Sequence, residues 1–106
     1  MGAIAAEDQV HDIAVALGLT ESELFREALV TFLRERKRQT LQLRLEIFSR
    51  YGAESIADLE SKIAQGIVVE HPAWEDLITI ENLDERLKEL DDYLARLSPP
   101  EGDRAQ

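Results

Sequence analysis

Apolar side chains at Leu24, Phe25, Ala28, Leu29, Phe32 and Leu33 recur at the i, i+3, i+4 spacing of one helical stripe. They lie in a stretch, Thr20 to Tyr51, that contains no Gly or Pro. Thr20 followed three residues later by Glu23 is a T-x-x-E capping box, so the spacing predicts a helix that starts there. Upstream, Val10, Ile13, Ala14 and Leu17 form a shorter stripe closed by Gly18, and Leu19 and Thr20 leave only a tight link between the two helices. Within the long stretch, Leu41 to Ile47 alternates apolar and polar as a half-buried strand would. Its residues are helix formers, only Ile47 is β-branched and no breaker precedes it, which predicts continued helix with a kink near Gln39 and Thr40 and an end at Gly52.

Beyond Gly52, Ser55-Ile56-Ala57-Asp58 resembles a weaker capping box, and Ile56, Leu59 and Ile63 supply the stripe of a short third helix that Gly66 closes. Ile67-Val68-Val69 is a brief apolar connection that touches a partner or covers a core. Glu70-His71-Pro72-Ala73-Trp74-Glu75-Asp76 opens the last helix, with Pro72 at the first helical position and acids in the first turn, where the helix dipole favours them. Ile80, Leu83, Leu87, Leu90, Leu94 and Leu97 then step by three and four, the seam of a short coiled coil. Ser98-Pro99-Pro100 stops it. The expected fold is all-α: a helix-turn-long helix dimerisation unit over residues 1–52, an acidic arm of a short helix and an amphipathic helix over 53–97, and a disordered tail over 98–106.

A chain of 106 residues holds one small core, and an unbroken helix from Thr20 to Tyr51 is too long for a compact monomer. A homodimer, a higher homo-oligomer or a partner protein is therefore expected. There is no Cys, which removes disulfides and thiolate chemistry. No run approaches the roughly 20 apolar residues of a membrane span, and no secretory signal is evident, so a cytoplasmic protein with no membrane partner is expected. The net charge of −10 is uneven: residues 1–52 carry seven Lys or Arg against eight Asp or Glu, a net of −1, while residues 53–106 carry five against fourteen, a net of −9. Two surfaces with different partners would produce this split.

Gly18-Leu19-Thr20-Glu21-Ser22-Glu23-Leu24-Phe25-Arg26-Glu27-Ala28-Leu29, followed by Phe32-Leu33, resembles the helix-helix part of ribbon-helix-helix proteins, over roughly Val10 to Arg38. Those are dimeric prokaryotic repressors and the antitoxins of toxin-antitoxin pairs. The resemblance implies a dimer interface at Leu24, Phe25, Ala28, Leu29, Phe32 and Leu33. It also implies DNA phosphate contacts at Thr20, Ser22 and Arg26. The family reads bases with an N-terminal strand, whereas Met1 to Ala6 offers no side chain that can hydrogen-bond a base edge. Either that ribbon has been lost or the true start lies upstream.

Arg34, Arg36, Lys37 and Arg38 form the one dense cluster of positive charge. It could extend a phosphate contact, or be a helical surface paired with the acidic arm; no aromatic residue is interleaved to stack on bases. Glu70, His71, Glu75 and Asp76 are better explained by helix capping than by a metal, and the acids further along read as a solvated face rather than as paired catalytic carboxylates. No catalytic or nucleotide-binding fingerprint occurs, so a non-enzyme without cofactor is expected. The resulting expectation is an antitoxin-like protein that dimerises and masks a small basic toxin with its acidic arm. Partner contacts would come from Trp74, Leu77, Ile78 and Leu83, flanked by Glu75 and Asp76. The alternatives are a DNA-binding repressor and a non-catalytic helical adaptor.

Overall fold

The computed structural model describes residues 5–98, which form four helices: α1 Ala6–Leu17, α2 Glu21–Arg50, α3 Ile56–Ala64 and α4 Glu70–Leu97. The fold is all-α. Met1 to Ile4, where a ribbon strand would stand, lie outside the described residues, as does the expected tail from Pro99 onward.

Each boundary follows from local chemistry. Gly18 ends α1 with φ +73°, and the next amide, of Leu19, donates to the Ala14 carbonyl at 2.9 Å. A Cβ there would meet nothing within 4 Å, so the left-handed backbone alone, not crowding, calls for glycine. Thr20 then caps α2. The Glu23 amide donates to its Oγ1 at 3.0 Å, and the Thr20 amide donates to Glu23 Oε1 at 2.9 Å. The hydrogen bond from the Thr20 amide, then that with its hydroxyl, hold the Glu23 carboxyl below the usual carboxylate range. Thr20→Ala is expected to cost about 1 kcal/mol of stability. Because the folded-state pKa of Glu23 is depressed, the box contributes at neutral pH and its contribution fades as pH falls through that value. Thermal melts of Glu23→Gln and the natural protein should therefore converge in acid, where the Glu23 carboxylate is protonated, whereas the Thr20 hydroxyl, which does not titrate, keeps its cap on the Glu23 amide.

The 30 residues of α2 span roughly 45 Å at 1.5 Å per residue, and they run unbroken through Gln39 and Thr40. The kink expected there is absent. The Thr40 hydroxyl donates back to the Arg36 carbonyl at 2.8 Å, and no Gly or Pro interrupts the ladder. At the start of α4 the backbone leaves helical geometry at His71 (φ −111°, ψ 108°), the extended shape that a following proline imposes, so the regular helix starts at Pro72.

The core gathers at one end. Ile47 and Phe48 of α2, Ala53, Leu59 and Ile63 of α3, and Ala73, Leu77 and Ile80 of α4 are buried together, with Tyr51, Ile56, Val68 and Leu83 packed against them. The boundary expected at residue 52 therefore cuts through a single shared core. From this closed end α2 and α4 run back as an antiparallel hairpin. Arg44 pairs with Asp84 at 2.6 Å, and a step of seven residues down α2 and seven up α4 pairs Lys37 with Asp91 at 2.7 Å. The stripe of α2 that faces α4 is accordingly mixed: Val30, Leu33, Lys37, Thr40, Arg44, Ile47 and Tyr51 are all buried or half-buried. It meets the leucine seam of α4, where Leu90 is buried and Leu83, Leu87, Leu94 and Leu97 are half-buried. Charges set into an apolar seam fix its register, since a slip would strand them among leucines.

The molecule is thin. Its extents are 60 × 48 × 16 Å and its radius of gyration is 20.4 Å, against about 13 Å for a compact chain of this length. A depth of 16 Å is little more than one layer of helices, so among the described residues no second layer covers the flank of α2 that carries Phe25, Leu29 and Phe32.

Candidate protein-interaction surfaces

Phe25, Leu29 and Phe32 are 53 %, 48 % and 55 % exposed, and Ala28 is exposed beside them. They occupy a flank of α2 about a quarter turn from the stripe that faces α4, since residues on a helix are spaced by about 100°. The other two residues of the expected dimer seam are turned inward: Leu24 and Leu33 are both half-buried. Arg36 extends this flank, its guanidinium lying 5.0 Å from the centre of the Phe32 ring.

The basic run does not make a basic patch. Neighbouring residues on a helix point about 100° apart, so Arg34, Arg36, Lys37 and Arg38 wind around α2 rather than lining one side. Lys37 is held by Asp91 across the hairpin. Arg38 grips Glu35 with two hydrogen bonds, 2.9 and 2.7 Å, and the Arg38 guanidinium keeps the Glu35 carboxyl below its usual range. Arg26 and Arg34 line a shallow groove of about 350 Å³ beside the end of α4, together with Glu27 and Thr31. Thr20 is committed to its cap, and Ser22 is exposed.

The acidic arm is largely neutralised, and where it is not is informative. Residues 70–97 contain nine acids and three basic residues. Asp76, Asp84 and Asp91 face Arg50, Arg44 and Lys37 of α2. Glu85, Glu89 and Asp92 lie beside Lys88, Arg86 and Arg96 of α4 itself. The other three, Glu70, Glu75 and Glu81, meet no Lys or Arg among the described residues, and all three lie in the first half of the helix. They surround Trp74 and Ile78, one turn apart on the outer face and 41 % and 57 % exposed. The Trp74 Nε1 donates to Glu70 Oε1 at 3.2 Å, and His71 lies 3.6 Å from Glu75. Ile67 and Val69, in the connection that leads into this end, are 62 % and 73 % exposed.

Three of the residues expected at the partner surface sit elsewhere. Leu77 is 3 % exposed in the core, because the arc of α4 that continues Ala73 toward Ile80 faces α3 and α2. Leu83 is half-buried against the same core. Asp76 accepts hydrogen bonds from Tyr51 Oη and, at 3.5 Å, from Arg50 Nη1. Trp74 stands outside the core cluster, to which its neighbour Ala73, 0 % exposed, belongs. Among the described residues no group of three or more His, Cys, Asp or Glu is placed to hold a metal ion, and no helix is long and apolar enough to cross a membrane.

Tyr51 shows how tightly the arm is tied down. Burial, and then the hydrogen bond to Asp76, push its hydroxyl pKa up from about 10 to about 12. The neutral phenol is the form that the fold favours, so its contribution is full below pH about 10 and lost as pH climbs through about 12. Tyr51→Phe is expected to cost on the order of 1 kcal/mol at neutral pH and to flatten this alkaline decline, as read in melts between pH 9 and pH 12.

The chain belongs to the Uncharacterized protein MJ0235 family, whose model matches residues 3–100. No curated protein and no solved structure matches it.

Proposed function

We propose that this member of the MJ0235 family is a dimeric, non-catalytic, antitoxin-like protein of the cytoplasm, which holds a small basic partner protein at the Trp74 end of α4 and pairs with a second copy along α2. The observation that carries the partner reading is the distribution of charge. The acids of α4 without a cationic neighbour among the described residues cluster around its exposed tryptophan, while those further along are spent inside the chain. An aromatic anchor ringed by uncompensated carboxylates suits a cationic surface with an apolar pocket. The contact set that supports this is Trp74, Ile78, Glu75 and Glu81, with Leu77, Leu83 and Asp76 left to the fold. The dimer reading draws on the flat shape and on three large apolar side chains about half exposed on one flank.

The product of the adjacent reading frame is the first partner to test. Calorimetry should detect binding of that product to the full chain. Trp74→Ala should weaken it at least about tenfold, as expected for a hot-spot aromatic, without changing the melting behaviour of the free protein. Absence of binding, together with no effect of co-expression on that product's activity or toxicity, would remove the antitoxin reading.

A further inference from the structure

Six exposed residues on the free flank of α2 are arranged as a palindrome of spacing with opposite charges at its ends. Glu21, Phe25, Ala28, Leu29, Phe32 and Arg36 follow one another at intervals of four, three, one, three and four, and all lie within about a third of the helix circumference. Reading the row backwards exchanges phenylalanine with phenylalanine, alanine with leucine, and glutamate with arginine.

From this we infer that a second copy of the chain lies antiparallel along α2, on a two-fold axis between Ala28 and Leu29. The inference rests on the dimer reading above and adds its direction and register. In this arrangement Phe25 of each copy meets the partner subunit's Phe32, and Ala28 opposes the partner subunit's Leu29. Glu21 reaches the partner subunit's Arg36 at both ends. A two-fold interface requires self-complementarity of this kind, because every contact is made twice. The same flank in a parallel pair would oppose Glu21 to Glu21 and Arg36 to Arg36, and like charges at close range are unfavourable. Two observations hold the end groups in place. Arg36 is stacked over Phe32 at 5.0 Å and so stays on this flank, and Glu21 stands in the first turn of α2, 3.7 Å from His11.

The register has a geometric consequence for partner binding. Tyr51, bonded to Asp76, marks the level of the Trp74 end along α2, about 34 Å from the axis at 1.5 Å per residue. Antiparallel pairing sends the two Trp74 ends in opposite directions, roughly 65 Å apart. Each copy then holds its own partner molecule without crowding the other.

The chain has no cysteine, so single introduced thiols report proximity cleanly. Glu21→Cys and Arg36→Cys are purified separately, then oxidised alone and as a mixture, with sedimentation of each reduced protein alongside. The inferred register predicts a disulfide joining position 21 to position 36 in the mixture and little or none in either protein alone. Charge reversal gives an independent readout. Glu21→Arg and Arg36→Glu should each weaken dimerisation about tenfold, as two unfavourable pairs per dimer would, and the double reversal should restore it. Self-cross-linking of either variant alone, or a dimer with no link between positions 21 and 36, overturns the register while leaving the dimer reading intact. A monomeric mass for the unmodified chain overturns both.

Discussion

Phe32→Glu is expected to raise the dimer dissociation constant at least about a hundredfold while leaving the fold of each chain in place. Phe32 is 55 % exposed in the single chain and stands outside the core cluster, so its own subunit gains little from it. In the proposed dimer it is covered by the partner subunit. Burial of a phenylalanine side chain is worth about 1.5–3 kcal/mol, and a two-fold interface loses that amount twice. A loss of about 3 kcal/mol corresponds to more than two decades in affinity. The introduced carboxylate adds a desolvation cost in the same direction. Sedimentation across a range of concentrations measures the change. Circular dichroism melts at concentrations below both dimer dissociation constants, where each protein is monomeric, should differ little. If the substitution instead unfolds the chain, Phe32 belongs to a core within one subunit.

Ile80→Ala acts on the other half of the account, the closed end where α2, α3 and α4 meet. Ile80 is 0 % exposed and belongs to the buried cluster with Phe48, Leu59 and Leu77. Truncation of a fully buried isoleucine costs about 2–5 kcal/mol, transfer and cavity together. That is a large part of the 5–15 kcal/mol typical of a domain. Urea unfolding should show a loss of about 3 kcal/mol, whereas Leu45→Ala, at a position 61 % exposed, should stay within about 0.5 kcal/mol. A loss below about 1 kcal/mol for Ile80→Ala would mean that the chain does not fold around this end.

The turn between α1 and α2 and the start of α4 were written in the chain's local chemistry. Gly18, the Thr20–Glu23 box and Pro72 each act over three or four residues, and each stands in the structure where the pattern put it. The leucine seam of α4 was equally readable, because a row of apolar residues at steps of three and four has to face something. What it faces was not. The complementary stripe of α2 holds Lys37, Thr40 and Arg44 at its centre, and a search for apolar periodicity passes over such positions. The signal that could have found it is a matched pair of intervals: two cations seven apart in α2 and two aspartates seven apart in α4, in opposite chain order. For the same reason the acidic arm looks freer in the sequence than it is, since three of its aspartates belong to the hairpin. Leu77 reads as surface in the sequence for a related reason. Neighbouring Trp74 and Ile78 are large and conspicuous, but the small Ala73 is fully buried, and Leu77 one turn on shares its side.

The account turns on whether the apolar flank of α2 exposed in one chain is closed by another, and the mass of the purified 106-residue chain in solution decides that most directly. Sedimentation equilibrium from low to high micromolar concentration should give twice the chain mass of 12.0 kDa for the natural sequence, and the single-chain mass for Phe32→Glu. A value of 12.0 kDa for the natural sequence at every concentration would contradict the account.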